Sequence, residues 1–255
     1  MSLRHIQKIC GTVLSVCLVL GMARPSDALI MIAVDDLSNG VGDEFVISDG
    51  DLADLFGTPP TPDGMVTTAQ TLATGQTVSI SATSIPLMGT LPKLDLVSLA
   101  IHGPTPGTLR IRATNTGFTP PATPTTDFFA AIGGTTEGSV SGMAFYDTDD
   151  TAFGTSGPNS VMTHNFGSFT DPSFDASATF TDTTPGAPFS MTLLVDIIHD
   201  DANDVTGFSF LMSATEPTGE NPVPEPATIA LGMIGLLVLG PFLARHRRRR
   251  RLRSG

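Results

Sequence analysis

The chain is poor in cysteine, in cations and in aromatic side chains that carry a polar group. It has no tryptophan, one tyrosine (Tyr146) and two cysteines, Cys10 and Cys17, which both fall in an apolar run near the N-terminus. Without that run the chain has no thiol, which excludes thiol catalysis and a disulfide framework. The shortage of Tyr and Trp argues against an outer-membrane barrel with aromatic girdles, and against a sugar site built by stacking on those rings.

Positive charge is missing from the middle of the chain. Of 13 Lys and Arg residues, seven lie in the last eleven positions and three near the N-terminus, which leaves Lys93, Arg110 and Arg112. Nearly all carboxylates lie in this middle part, and the formal net charge is −12. Such an acidic body repels nucleic acid, so we expect no nucleic-acid partner. The 26 Gly and 20 Pro favour turns and strands over helices.

The N-terminus has the three parts of a secretory signal. Arg4 and Lys8 precede an apolar run over 9–22, and Ser26 and Ala28 are small residues at the positions that a signal peptidase reads. The pattern predicts a signal peptide over 1–28 with cleavage after Ala28. A permanently inserted helix is the alternative, but the run is shorter than the ~20 residues of a membrane span.

The C-terminus joins three unlike features in a fixed order. Val223-Pro224-Glu225-Pro226 precedes an apolar stretch over 227–244, and an arginine-rich tail follows over 245–255. At ~1.5 Å per residue the stretch reaches about 27 Å as a helix, enough for a thin bilayer core. The pattern predicts one transmembrane helix, with Arg245, Arg247, Arg248 and Arg249 as a stop on the cytoplasmic side.

This arrangement closely resembles the PEP-CTERM sorting signal of exported bacterial proteins, which has the same three features in the same order. The resemblance covers 223–255 and implies that Pro224, Glu225 and Pro226 are the residues recognised by a membrane-embedded exosortase. It also implies that the tail is removed and the body is delivered to the cell surface or to extracellular polysaccharide. The expected partners are therefore the membrane, an exosortase-type enzyme and polysaccharide.

The middle of the chain, 29–215, shows the period of β-strands. Apolar and polar residues alternate over 78–82, 109–113 and 208–212, and apolar runs occupy 94–101, 140–146 and 191–197. Over 109–113 the alternation predicts that Arg110 and Arg112 lie on one solvent-facing side. Clusters of Pro and Gly separate these segments. Roughly nine or ten short strands predict an all-β, two-sheet antiparallel sandwich, jelly-roll-like, with a closed barrel as the alternative. A polar linker is expected over 216–222.

Residues with catalytic chemistry are few. The body contains His102, His164 and His199, and none sits at a metal-ligand spacing. Gly-x-Ser-x-Gly and phosphate-binding glycine motifs are missing from the sequence. We therefore expect a protein that is not an enzyme, with an exported hydrolase as the weaker alternative.

Carboxylates are clustered, and two interpretations compete for them. Asp and Asn in loops usually form turns and add solubility, but oxygen-rich loops between strands also bind Ca²⁺. The preferred calcium candidates are Asp200, Asp201 and Asp204, because they join two strands that are expected to be neighbours. No other cofactor is expected.

The two end signals and the acidic body together predict a function at the cell surface. We expect an exported protein that passes the periplasmic side of the inner membrane and has a structural or adhesive role at the surface or in the matrix. A Ca²⁺-dependent or glycan-binding β-sandwich is the alternative.

Overall fold

The structure is a computed structural model that describes residues 29–40, 42–55, 63–85 and 91–217. The chain divides into two compact units, 1–218 and 219–255, and the second lies wholly outside the described residues. The expected signal helix over 1–28 and transmembrane helix over 227–244 lie outside them too. Within the described ranges, no helix has the length and hydropathy of a membrane span.

Every regular element in the described ranges is a β-strand. The twelve strands are β1 (Ile30–Asp36), β2 (Phe45–Ser48), β3 (Met65–Thr71), β4 (Thr77–Ile85), β5 (Lys93–His102), β6 (Gly107–Phe118), β7 (Thr125–Thr136), β8 (Ser139–Asp147), β9 (Ser160–Phe169), β10 (Ser173–Thr183), β11 (Phe189–His199) and β12 (Val205–Thr215).

The strands form two six-stranded sheets, and all neighbouring strands within each sheet are antiparallel. Sheet A has the order β2-β1-β6-β11-β8-β9, and sheet B has the order β10-β7-β12-β5-β4-β3. The inner faces of both sheets supply one shared hydrophobic core. This confirms the predicted all-β fold of two antiparallel sheets.

The last eight strands wind back and forth between the sheets. β10-β7-β12-β5 lie in sheet B opposite β6-β11-β8-β9 in sheet A, which is the strand order of a jelly roll. The first four strands extend this unit, since β1 and β2 continue sheet A beyond β6, while β4 and β3 continue sheet B beyond β5.

The expected number of strands was too low, and the missed strands lack simple alternation. In β7 the consecutive residues Phe128, Phe129 and Ala130 are all buried, so Phe129 interrupts the alternation of buried and partly exposed residues. In β9 the pairing with β8 shifts register between Ser141 and Met143 and again between Ala144 and Phe145, which interrupts the pattern. β2 has only four residues, and in the threonine-rich β3 four of the seven residues are polar.

Aromatic rings fill the core between the two sheets. Phe128 of sheet B stacks on Tyr146 of sheet A with ring centroids 4.4 Å apart, and Phe189 meets the edge of Phe128 at 6.4 Å. Burial of each such ring contributes about 1.5–3 kcal/mol. The Tyr146 hydroxyl reaches the rim and donates a hydrogen bond to Asp182 Oδ2 at 2.8 Å. Burial is the main reason that the pKa of Tyr146 is raised.

Because neighbouring strands alternate in direction, the connections gather at two ends of the sandwich. Among the described residues, the distal end carries the segments 37–40, 42–44, 72–76, 103–106, 137–138, 170–172 and 200–204. The exit end carries the segments 49–55, 63–64, 91–92, 119–124, 148–159 and 184–188. Since β1 begins and β12 ends at the exit end, the chain enters and leaves the sandwich there.

Candidate binding surface on the outer face of sheet A

Two of the three cations in the acidic middle of the chain lie on the outer face of sheet A. Arg110 and Arg112 alternate with the buried residues Leu109, Ile111 and Ala113 along β6, which places both guanidinium groups outside the core. This confirms the sequence-based placement of both arginines on one side. With Asp35, Asp43, Asp196 and Phe153, they form what we call the charged face.

Arg110 lies between carboxylates of the two strands beside it. It is in register with Asp35 on β1 and with Asp196 on β11. Its Nε donates to Asp196 Oδ1 at 2.7 Å and a terminal nitrogen donates to Oδ2 at 2.8 Å, so the pair is bidentate. The hydrogen bond to Asp196 is the main cause that raises the pKa of Arg110. Because both groups are partly exposed, we expect the pair to contribute no more than about 1 kcal/mol.

Arg112 has a different set of partners. It forms an ion pair with Asp43 from the β1–β2 loop, and its guanidinium carbon lies 5.1 Å from the centre of the Phe153 ring. Phe153 belongs to the β8–β9 loop and has a φ of 54°, a left-handed conformation that is unusual for a bulky side chain. The cation–π contact therefore joins β6 to a loop whose backbone is strained at the contacting residue.

Asp35 completes the charged face beside Arg110. Burial is the main cause that raises the pKa of Asp35, and the nearby Asp43 carboxylate raises it further, while both arginines act in the opposite direction. Its Oδ1 is shielded from solvent and has no hydrogen-bond donor among the described residues. The charged face thus holds one carboxylate that is not fully compensated.

The β8–β9 loop, 148–159, is fastened to this side of the molecule. Asp150 Oδ1 accepts a hydrogen bond from the backbone N–H of Gly117 at 2.6 Å, and Ser190 Oγ donates to the carbonyl of Thr151 at 2.7 Å. Burial raises the pKa of Asp150, although the bond from Gly117 lowers it. These contacts hold Phe153 against Arg112 and make the loop one wall of the charged face.

The arrangement can donate and accept hydrogen bonds, but it has little free positive charge. Both arginines already contact carboxylates, and three carboxylates against two guanidinium groups leave the face with a formal excess of negative charge. Such a surface disfavours phosphate or nucleic-acid ligands. It suits neutral polar groups such as hydroxyls, which interact with carboxylate and guanidinium edges.

The predicted calcium candidates lie elsewhere, in the β11–β12 loop at the distal end. The backbone N–H of Asp201 donates to Asp204 Oδ2 at 3.0 Å, and Asn203, with a φ of 70°, donates its N–H to the carbonyl of Gly103 at 2.8 Å. Asp200 is exposed. In the part of the chain that the structure describes, no group of three or more His, Cys, Asp or Glu residues is arranged to hold a metal ion. Calcium binding by this loop stays a prediction.

Other clustered carboxylates accept hydrogen bonds from nearby backbone N–H groups. Asp36 accepts from Ser38, Asp49 from Asp63 and Gly64, Asp51 from Ser48, and Asp147 from Asp149. The bonds of Asp36, Asp51 and Asp147 are the short-range bonds that the turn-forming interpretation predicts, whereas Asp49 bonds to the far end of its loop.

The two buried histidines are bonded to threonines. His199 Nε2 lies 2.9 Å from Thr206 Oγ1, and His164 Nδ1 lies 2.9 Å from Thr163 Oγ1. Burial is the main cause that lowers the pKa of both rings. His164 also stacks on Phe166, with centroids 5.7 Å apart. The arrangement is that of neutral histidines packed in a core.

The sequence indicated the two arginines of this surface but none of their partners. Asp43, Phe153 and Asp196 are distant from β6 in the chain, and the scarcity of cations in the middle was the one available signal. The predicted sorting residues Pro224, Glu225 and Pro226, and the arginines Arg245, Arg247, Arg248 and Arg249, lie outside the described residues.

Comparisons with known proteins identify one family feature and several distant sandwiches. The PEP-CTERM protein-sorting motif matches residues 222–249. No curated protein matches the chain.

Among solved structures, the enzymatically active domain of bacteriophage CBA120 tailspike protein 4 is 12% identical over 60% of this chain and 19% of its own, with a TM-score of 0.30. The mannan-recognising carbohydrate-binding module TmCBM27 is 6% identical over 60% of this chain and 89% of its own, with a TM-score of 0.28. The K3 adhesin domain of Lys-gingipain from Porphyromonas gingivalis is 8% identical over 72% and 90%, with a TM-score of 0.24. Matches this distant carry no argument about function.

Proposed function

We propose that this chain, which is a PEP-CTERM domain-containing protein, brings an acidic β-sandwich to the cell surface or extracellular matrix, where it has a structural or adhesive role. The sorting motif over 222–249 carries the proposal, because it follows the last strand of the sandwich, which ends at Thr215. The motif indicates an exported protein that is sorted by an exosortase and passes through a membrane-anchored stage.

The distribution of charge supports this route. An acidic body stays soluble once it is outside, while a tail of arginines resists transfer across the membrane and favours the cytoplasmic side. The two Pro residues around Glu225 disfavour both helix and sheet, which would present the motif to an enzyme in an extended form.

Mass spectrometry of the protein recovered from the producing bacterium tests the sorting step. We expect the mature chain to lack residues 1–28 and the tail beyond the Pro-Glu-Pro motif. Glu225→Ala should leave the uncleaved precursor in the membrane fraction, whereas Glu216→Ala, a carboxylate outside the matched motif, should be processed normally. An intact precursor that is freely soluble in the cytosol would contradict the proposal.

The structural role is supported by how the polar side chains of the body are used. Carboxylates accept hydrogen bonds in turns, arginines pair with carboxylates, and buried histidines contact threonines. We therefore expect the surface protein not to hydrolyse the polysaccharide of the producing organism. An assay of new reducing ends tests this, with heat-unfolded protein as the control, and release above that control would make the body a hydrolase.

Glycan binding on the charged face is the second candidate function. It is favoured by the row of Asp35, Arg110 and Asp196, because these groups offer hydroxyl partners and the next outward residue of β6, Arg112, lies against the apolar Phe153 ring. Isothermal titration with the producer's polysaccharide should show heat that Arg110→Gln weakens at least about tenfold in Kd, about 1.4 kcal/mol. Thr181→Val, on the other sheet, should leave binding unchanged. A flat titration of the unaltered protein would remove this candidate.

Calcium dependence is tested separately at the distal loop. If Asp200, Asp201 and Asp204 bind Ca²⁺, the ion should raise the unfolding temperature of the protein, because a ligand that binds only the folded state stabilises it. Asp204→Asn should lose that rise. An unfolding temperature that is independent of Ca²⁺ would remove the calcium prediction.

A further inference from the structure

The sandwich has four edge strands, and three of them are protected against pairing with another strand. β2 has only four residues, and β9 shifts register twice against β8. β3 is capped by the preceding segment, since Leu55 N–H donates to the Thr67 carbonyl at 2.8 Å and Thr67 N–H donates to Asp54 Oδ1 at 2.9 Å. Short strands, irregular pairing and covered edges are the means by which β-proteins avoid edge-to-edge association.

The fourth edge, β10, has none of these protections. It pairs with β7 over eleven consecutive positions without a register shift, and it contains no Pro, Lys or Arg. Ser173, Asp175, Ser177, Ala178 and Thr181 are among its exposed residues. Within the described ranges β7 is its one neighbouring strand. An extended, regular and exposed edge of this kind is a template for another β-strand.

The sequence of β10 is compatible with pairing to itself. If two copies run antiparallel about Ser177, Phe174 faces Phe180 and Ala176 faces Ala178, while Asp175 faces Thr179. Aromatic pairs stabilise antiparallel strands, and like charges directly opposite each other destabilise them. This register avoids opposed charges, and it brings Phe174 and Phe180, which pack against the core of their own sandwich, to the inner side of the seam.

We propose that β10 is a homotypic interface, at which two copies of this protein join their B sheets into one continuous antiparallel sheet. The contact is isologous, because the same strand is used by both copies about a two-fold axis. It follows from the edge of the sandwich and does not depend on the sorting route.

The dependence on salt distinguishes a second copy from a basic partner at β10. Both copies are strongly acidic, so their long-range repulsion opposes pairing and backbone hydrogen bonds must hold it. Salt reduces such repulsion, since the Debye length falls from about 10 Å at 0.1 M to about 3 Å at 1 M. Self-pairing should therefore strengthen with salt, whereas attachment of a basic peptide to β10 would weaken.

A cysteine at the centre of the strand tests the geometry. The full chain is purified in mild detergent with Cys10→Ser and Cys17→Ser, so that Ser177→Cys provides its one thiol. Opposed residues of antiparallel strands have Cα atoms about 4.5–5.5 Å apart, within the range of a disulfide. We expect a disulfide-linked dimer on mild oxidation. Ser168→Cys on β9, a matched exposed serine at a protected edge, should stay monomeric.

Equal cross-linking of the two cysteine variants, or cross-linking of neither, would overturn the proposal.

A second measurement compares exposed alanines on the two edges of sheet B. Ala178→Lys should raise the dimer dissociation constant at least about tenfold in sedimentation experiments, because it places like charges near each other. Ala69→Lys on β3 should leave the dimer dissociation constant unchanged. Thermal unfolding shows that both variants are folded. A dimer that Ala178→Lys leaves intact, or that salt dissociates, would also overturn the proposal.

Discussion

The two ends of the sandwich are both rich in carboxylates, but they use them differently. At the distal end the side chains join separate loops: Thr74 donates to Asp36, and Gln76 Nε2 donates to the carbonyl of Thr105 at 2.8 Å. At the exit end the carboxylates bond within their own loop or to the strand beside it, as when Asp49 accepts the N–H of Gly64 at 2.7 Å and Asp150 accepts the N–H of Gly117 at 2.6 Å.

This difference shows that a cluster of aspartates in the sequence does not by itself predict which part of the structure the side chains will bond to. The distal loops are short, so their side chains reach across to a neighbouring hairpin and fasten one hairpin to the next. The segments 49–55 and 148–159 at the exit end carry carboxylates that accept backbone N–H groups of the same loop or of an adjacent strand. The distal end should therefore be the more sensitive to substitution.

The largest effect should come from Gly138→Ala in the β7–β8 turn of the distal end. A Cβ at this position would overlap the carbonyl oxygen of Ile198, which is backbone and cannot move without distorting β11. We expect a loss of about 3 kcal/mol or more in the free energy of unfolding, measured by urea denaturation. Gly186→Ala at the exit end meets nothing within 4 Å and should change it by less than about 0.5 kcal/mol. Equal losses for Gly138→Ala and Gly186→Ala would contradict the expectation that the distal end is more sensitive to substitution.

Next in size should be Asp36→Ala. Asp36 is 1% exposed and accepts hydrogen bonds from Ser38 N–H and Thr74 Oγ, so its removal leaves donors from two loops without an acceptor. We expect a loss of about 2–3 kcal/mol by urea denaturation. Asp51 at the exit end is exposed and accepts from Ser48, and Asp51→Ala should lose less than about 1 kcal/mol. A larger loss for Asp51→Ala than for Asp36→Ala would mean that the exit end is the more sensitive to substitution.

The two ends should also respond to pH in opposite directions, beginning with His199 at the distal end. Burial lowers the pKa of His199 below its ordinary value of 6.5, so the unfolded chain binds the proton more readily. Stability is therefore present above pH 6.5 and is lost as the pH falls towards the lowered pKa. His199→Gln should reduce the fall in unfolding temperature between neutral pH and about pH 5. An unchanged pH profile would contradict the assignment of this pH dependence to His199.

The smallest effect is expected for Asp150→Asn at the exit end. Burial raises the pKa of Asp150 above 3.8, so its ionised form opposes folding above the raised pKa, and this opposition is relieved as the pH falls through it. Asn keeps an oxygen for Gly117 N–H and tolerates the φ of 57°. We expect a gain of less than about 1 kcal/mol at neutral pH, measured by urea denaturation. The gain should disappear in acid, and a gain independent of pH would have another origin.

The period of two residues was enough to predict the fold class, because alternation is a local consequence of burying one face of a strand. It also placed Arg110 and Arg112 on one side of β6. The alternation could not give the order of strands in each sheet, which depends on contacts between distant segments. For this reason Asp196 was not recognised as the partner of Arg110, although β11 lies beside β6. β7 was not recognised because its consecutive apolar residues from Phe128 to Ala131 hide the alternation.

The position of β12 has a mechanical consequence. The strand that leads to the sorting motif lies between β7 and β5 and pairs with both. A pull on the chain beyond Thr215 acts along the axis of β12, so the hydrogen bonds of two ladders are loaded together in shear instead of opening one at a time. A body tethered by its C-terminus would thus resist drag or tension through a strand that is bonded on both sides, and its edge strands would bear little of the load.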